Sequence, residues 1–325
     1  MNIRNDDARE TPSPEALATL CAELAPGSHS EAVERLGGGL DAAMHTVALV
    51  RPTGERLELV LRRYRPEQLA RDADVVRRTW RTLELLQQLS LRAPRPVRLD
   101  ADGSLFGTPA IVMTRLAGTS ALPSVAPAAW IAELAGALAT IHRAPIANRD
   151  LVFLPQPGHT LQSRLAWIVA KPERVGSHPD GAAVVAAFRE WAPRLRRMTP
   201  VLVHGDYWAG NTLWQEDKLT AVVDWDDARI DYPGVDVGYC RTDLALLFGG
   251  DAPHLFLEAY EAAAGRRVAQ LVLWDLAGAL AAMPDPERWL PGYHDLGRPE
   301  ITVELVRSRL RAFIADALAR AGSAQ

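Results

Sequence analysis

The chain has 325 residues, 48% of them apolar and 23% charged, with a formal net charge of -4 and an isoelectric point near 6.1. These values suit a globular protein with a large core divided into two lobes, and they argue against nucleic acid or an anionic membrane surface as a partner. No apolar run reaches the ~18 residues needed to cross a bilayer, and Met1 to Asp7 lacks the apolar core of a secretory signal. A cytoplasmic protein with no membrane association and no obligate protein partner is therefore expected. The two cysteines, Cys21 and Cys240, have no metal-like spacing and read as free buried thiols. Lys171 and Lys218 are the only lysines, so any cation in the first 170 residues is arginine or histidine.

Ser13-Pro14-Glu15 opens a helix, with Ser13 as N-cap and Leu17, Leu20 and Leu24 on its apolar face. Strands are predicted over Ala32 to Leu36, Met44 to Val50 and Leu57 to Arg62. Between the first two lies Gly37-Gly38-Gly39. It is either an ordinary hairpin or a backbone that can approach a phosphate closely. In Leu59-Val60-Leu61-Arg62, alternation puts Val60 and Arg62 on one face and turns Arg63 toward solvent. A helix is predicted from Asp74 to Leu89 with Asp74 as N-cap, and Glu84 is the acid on its body. Two more strands, Val97 to Asp100 and Thr108 to Thr114, run into Arg115-Leu116-Ala117-Gly118.

From Pro127 the pattern becomes helical. Trp130, Leu134, Leu138 and Ile141 recur at helical spacing, and His142 closes that helix, where the dipole favours it. Leu161 to Val169 and Gly181 to Leu195 read as two further helices. Then Val201 to Val203 reads as a short buried strand that delivers His204 and Asp206 into a loop, with Asn211 five residues after Asp206. Thr212 to Trp214 lead out, Gln215 to Lys218 reverse the chain, and Leu219 to Val223 lead back. Such a hairpin returns Asp224 to Asn211, with Asp206 nearby. Converging hard oxygen ligands of this kind suit Mg²⁺. Asp226, Asp227 and Asp231 form either a solvated rim or a receiver for a cationic substrate. The remainder, from about Val237 to Ala321, is helical.

His204-Gly205-Asp206, Asn211 and then Asp224-Trp225 resemble the motif of aminoglycoside phosphotransferases and choline-kinase-like small-molecule kinases. The resemblance extends over nearly the whole chain at the level of pattern. It implies an α+β, two-lobe, protein-kinase-like fold. Residues 1–116 would form an antiparallel-sheet N-lobe that binds nucleotide. Residues 117–325 would form a mainly helical C-lobe with the catalytic hairpin and an acceptor pocket. It also implies Mg²⁺-dependent transfer of the γ-phosphate of ATP (or GTP) to a hydroxyl of a small molecule. Asp206 would then be the base, and Asn211 and Asp224 the metal ligands. Val60 would cover the adenine, and Arg62 with Gly37, Gly38 and Gly39 would meet the phosphates. Met113 would line the pocket, while the backbone of Thr114 and Leu116 would bond the base edge; the same stretch also reads as a plain edge strand entering a loop. His204 and Asp236 would brace the loop, and Trp289, Tyr293 and His294 would border the acceptor. Two positions depart from the family: Arg62 stands for the usual Lys, and Thr79 for the usual helix Glu. They keep open the alternative of a pseudokinase that holds nucleotide without turnover.

Overall fold

The structure is a computed structural model that describes residues 11–36, 42–157, 159–170, 172–194 and 198–323. The chain divides into two compact units, Met1–Ala117 and Gly118–Gln325.

The first unit opens with α1 (Pro14–Leu24), capped by Ser13, whose hydroxyl accepts the Ala16 N–H at 3.2 Å. Strands β1 (His29–Leu36), β2 (Ala42–Val50), β3 (Arg56–Tyr64), β4 (Pro96–Asp100) and β5 (Ala110–Thr114) build one antiparallel sheet in the order β1-β2-β3-β5-β4. Alternation gives one face to Val47, Leu49, Leu59, Leu61 and Val112, which pack against Leu17, Leu20 and Cys21 of α1. Each fully buried aliphatic side chain there contributes roughly 1.5–3 kcal/mol. Arg63 shares the face of Leu59 and Leu61 and is buried, 3% exposed, where solvent was expected. The reason is that this sheet face is the core face. In the ladder Arg63 lies between Ala43 and Ala110, whose small side chains leave room beside them. Gly37, Gly38 and Gly39 lie outside the described residues.

Helices α2 (Pro66–Arg71) and α3 (Val75–Gln88) follow β3. Helix α3 buries Val75, Val76, Thr79, Thr82, Leu83 and Leu86, the stripe its period predicts. Asp74 sits at its N-cap position, but its side chain makes no capping bond there.

The second unit begins with α4 (Ala128–His142), α5 (His159–Ala170), α6 (Pro172–Gly176) and α7 (Gly181–Trp191). Strands β6 (Val201–Val203), β7 (Thr212–Gln215), β8 (Lys218–Val222) and β9 (Arg229–Asp231) come next; β6 pairs with β9, and β7 with β8 as a hairpin. Helices α8 (Gly234–Leu247), α9 (Ala252–Ala264), α10 (Leu271–Ala282), α11 (Leu290–Asp295) and α12 (Val303–Ser323) complete the unit.

Helix α8 is the axis of this unit. All of its residues except Tyr239 are buried. It lies so close to α10 that a Cβ on Gly234 would stand 2.1 Å from the Trp274 ring, and one on Gly238 2.2 Å from the Trp274 carbonyl oxygen. Gly278 returns the contact, since its Cβ would meet Thr242 at 2.3 Å. The glycines therefore set the spacing of the two helices, and α8 has little freedom to slide. Among the described residues, no helix is long and apolar enough to cross a membrane.

Candidate active site

Strand β6 is fully buried and ends at His204, which is also buried. Gly205 follows with φ +88°, where a Cβ would stand 2.2 Å from the Asp227 carbonyl oxygen, so the turn admits only glycine. The His204 ring accepts the Asp206 N–H on Nδ1 at 3.3 Å, and Nε2 lies 2.9 Å from the Val223 carbonyl oxygen. Those two partners assign the Nε2–H tautomer. One imidazole thus ties the residue of the loop carboxylate to the strand end that precedes Asp224.

Asp236, in the first turn of α8, secures the same loop. Its two oxygens accept the N–H groups of His204 at 2.7 Å and Gly205 at 2.8 Å. His142 Nε2 lies 3.0 Å from Asp236 Oδ2, and its Nδ1 lies 2.7 Å from the Tyr260 hydroxyl. His142 is therefore part of the loop's support, more than a basic residue placed by the helix dipole. Burial raises the Asp236 pKa, but the His142 bond and the Gly205 N–H are among the influences that outweigh it and hold the carboxyl below its ordinary range.

The chain then makes a short 3₁₀ turn, Ala209–Asn211, before β7. Asn211 is buried, and its Nδ2 donates both to the Asp206 carbonyl and to Asp206 Oδ2, each at 2.9 Å. Its amide oxygen is thereby turned away from Asp206. The Val223 N–H donates to the Asn211 carbonyl at 2.9 Å, which closes the hairpin where Asp224 begins. Asp224 is exposed and holds φ +65°, a left-handed conformation uncommon for a residue with a Cβ. Burial, then the charge of Asp224, raise the Asp206 pKa to about 6, with the Tyr239 hydroxyl the chief opposing influence. The hairpin thus brings Asp206, Asn211 and Asp224 to one end, as the spacing predicts. Among the described residues, no three or more His, Cys, Asp and Glu side chains converge as a metal shell.

The other acids of this stretch separate by burial. Asp227 is exposed and Asp226 half-buried, whereas Asp231 is 1% exposed, with Oδ1 accepting the Tyr232 N–H at 2.9 Å. Asp231 is thus not part of a solvated rim. Tyr293 is buried and donates its hydroxyl to Asp243 Oδ1 at 2.9 Å, Trp289 is half-buried, and His294 is exposed.

In the first unit, Val60 faces Met113 in the β3–β5 register, and Arg62 faces Ile111 one step along. Val60, Arg62 and Met113 therefore share a sheet face. Arg62 is buried, with its guanidinium 5.3 Å from the Tyr64 ring centroid. The Thr114 N–H donates to the Arg95 carbonyl at 3.0 Å, and Leu116 is half-buried. Thr79 lies on the buried side of α3 and Glu84 on the exposed side, so α3 presents no inward carboxylate.

Sequence reasoning missed Tyr239 and Asp243. The signal was the spacing Asp236, Tyr239, Asp243, which puts all three on one face of a helix. Asp243 is fully buried; burial raises its pKa to about 7, with the charge of Asp206 adding to it, against the hydrogen bond from Tyr293.

A family model described as the phosphotransferase enzyme family matches residues 33–275. No curated protein matches the chain in sequence. Among solved structures, a candidate aminoglycoside phosphotransferase from Ralstonia eutropha is similar at a TM-score of 0.64 and 19% identity, over 93% of this chain and 99% of that one. Macrolide 2'-phosphotransferase MphH from Brachybacterium faecium gives 0.56 and 22%, over 93% and 96%. A thermostable mutant of aminoglycoside phosphotransferase APH(4)-Ia, in ternary complex with AMP-PNP and hygromycin B, gives 0.61 and 15%, over 94% and 98%. At these identities the likeness establishes a kinase-like fold.

Proposed function

The chain belongs to the phosphotransferase enzyme family and is a small-molecule kinase; we propose that it moves the γ-phosphoryl group of ATP or GTP to a hydroxyl of its acceptor with Asp206 as base. The observation that carries this reading is the pair of hydrogen bonds from Asn211 Nδ2 to Asp206, one to its carbonyl oxygen and one to Oδ2. They hold the carboxylate in place and leave the Asn211 amide oxygen for another partner, while the Val223 N–H bond to the Asn211 carbonyl brings the residue to the hairpin end where Asp224 is exposed. An amide oxygen and a carboxylate are hard donors that fit Mg²⁺, so Asn211 and Asp224 are the residues that would hold it. Bound there, the metal would neutralise charge on the phosphate oxygens.

The chain's own residues do the rest. Asp206 orients the acceptor hydroxyl and takes its proton as the new P–O bond forms; the nucleoside diphosphate leaves with the electrons of the broken bond. His204 and Asp236 keep the loop in one shape, so little reorganisation is needed at that moment. In the first unit, Val60 and Met113 offer an apolar surface to the base, the backbone of Thr114 and Leu116 offers it an edge, and Arg62 offers a cation for the phosphates. Gly37, Gly38 and Gly39 complete this assignment as the phosphate turn. The domain assignment proposed with it is nucleotide in residues 1–116 and acceptor in residues 117–325.

The test is Mg²⁺-dependent ADP or GDP release by purified protein across a panel of hydroxyl compounds that includes hygromycin B and a macrolide, beside Asp206→Asn. Acceptor-stimulated release that Asp206→Asn abolishes is expected. Nucleotide binding with no release above that control would favour the pseudokinase.

A further inference from the structure

Burial alternates along the loop that carries Asp206. Tyr207 and Ala209 are fully buried, and the Tyr207 hydroxyl donates to the Leu134 carbonyl oxygen at 2.7 Å. Asp206, Trp208 and Gly210 are half-buried. Trp208 is itself extended, with φ -143° and ψ 169°, a conformation that turns successive side chains to opposite sides. Its indole therefore lies on the open side of the loop, with Asp206. Gly210 agrees with this: a Cβ there would stand 2.2, 2.4 and 2.6 Å from three atoms of the six-membered ring of Trp208, so glycine makes room for the indole. The same ring edge comes 3.6 Å from the Cβ position of Gly292. Beneath it lies Tyr293, with ring centroids 6.1 Å apart, fixed by its bond to Asp243. One edge of the indole is thus held by the loop and α11. The N–H edge is not. Trp214, Trp225 and Trp274 donate their indole N–H groups to Thr212, Val222 and Ala269. That of Trp208 meets no acceptor among the described residues and is not enclosed.

We propose that Trp208 is an acceptor-binding residue: its indole N–H donates to an oxygen next to the reacting hydroxyl, and its ring covers the carbon skeleton that joins the two. The proposal rests on Asp206 being the base, which is what places the reacting hydroxyl at this loop. An indole combines a large apolar face with one donor at its rim. The chemistry that matches both is a hydroxylated saturated ring, whose C–H face is apolar and whose neighbouring oxygens accept hydrogen bonds. An open-chain alcohol without a second oxygen, such as choline, leaves the N–H unanswered. Because the indole is held on its far edge, it meets the acceptor in one orientation, and a rigid ring touched at two points keeps its hydroxyl within reach of Asp206. No covalent step involves the tryptophan.

Trp208→Phe keeps an aromatic ring in place and removes the donor. Its melting temperature and nucleotide KM should match wild type. The KM of a ring acceptor in ADP or GDP release should rise about three- to tenfold, the loss of one neutral hydrogen bond. An acceptor KM within about twofold of wild type would overturn the proposal. A second measurement needs no turnover. In protein labelled with ¹⁵N-indole tryptophan, the Trp208 signal is identified by its absence in Trp208→Phe and followed during titration with hygromycin B, a macrolide, methyl glucoside and choline. Ring compounds that stimulate release should move that signal, and choline should not. Release by a compound that leaves the signal in place, or by choline alone, would overturn the proposal and leave the kinase reading intact. A panel in which nothing moves the signal overturns the proposal as well. A ring compound that moves the signal yet is never phosphorylated supports the binding site and defeats only the kinase reading.

Discussion

Asp243→Asn isolates the cost of burying one carboxyl beneath the catalytic loop. Asp243 is fully buried, and burial first, helped by the Asp206 charge, raises its pKa to about 7 although Tyr293 donates a hydrogen bond to it. In the unfolded chain the same group titrates near 3.8. Between those values the folded state keeps a proton that the unfolded state has lost. Folding stability therefore falls as pH rises from about 4 to about 7. The shift is about three pH units, and at ~1.36 kcal/mol per unit the loss is roughly 4 kcal/mol. Asparagine cannot ionise, and whatever the amide changes locally is the same at every pH. The stability of Asp243→Asn relative to wild type should thus rise by roughly 4 kcal/mol between pH 4 and pH 8. Urea denaturation of both proteins at several pH values across that range measures it. A difference that stays flat would mean that the carboxyl is already ionised in the fold at neutral pH, and the burial argument would fail.

Turnover should rise with pH through about 6, as the carboxyl of Asp206 ionises and becomes able to accept a proton; a pH–rate profile flat from pH 5 to 8 would contradict Asp206 as the base. Asp224→Gly should abolish transfer yet raise thermal stability, because glycine adopts φ +65° without the ~1 kcal/mol strain a Cβ brings; a fall in melting temperature would refute this. Gly238→Ala should lower stability by ~1–3 kcal/mol, since the new methyl meets the Trp274 backbone, which cannot swing away. Activity should fall with it, and an unchanged melting temperature would show that α8 and α10 can part freely.

What the sequence made legible was local. Val201 to Val203, the Glu216-Asp217 turn and Leu219 to Val222 each carry their own signals of strand and reversal. The convergence of Asp206, Asn211 and Asp224 follows from their lengths alone. What escaped was decided by distant partners. Alternation put Arg63 on the face opposite Arg62, but only the packing of α1 made that face the core. His142 ends a helix as the pattern predicts, yet its role is set by Asp236, 94 residues away. The departure at Thr79 was readable because a missing carboxylate is a statement about one position, and the outward turn of Glu84 agrees with it.

Tyr239 and Asp243 illustrate a different limit. The spacing from Asp236 was on view in the sequence, but a polar stripe on a helix has no meaning until something lies along it. Here the proposed catalytic loop does at Asp236, and the glycines on the opposite side of α8 give the reason the arrangement is stable. A helix with side chains on both faces would stand farther from α10 and could shift by tenths of an ångström as its packing relaxed. Gly234 and Gly238 against Trp274 remove that slack, so positions on α8 are transferred to the loop with little error. The loop in turn holds the strand end before the exposed, strained Asp224 through the His204 bond to the Val223 carbonyl and the Val223 N–H bond to Asn211. Rigidity thus originates in the glycine contact, passes through Asp236 and His204, and reaches the carboxylates proposed to meet the substrate, so a substitution at Gly238 should disturb chemistry at a site it does not touch.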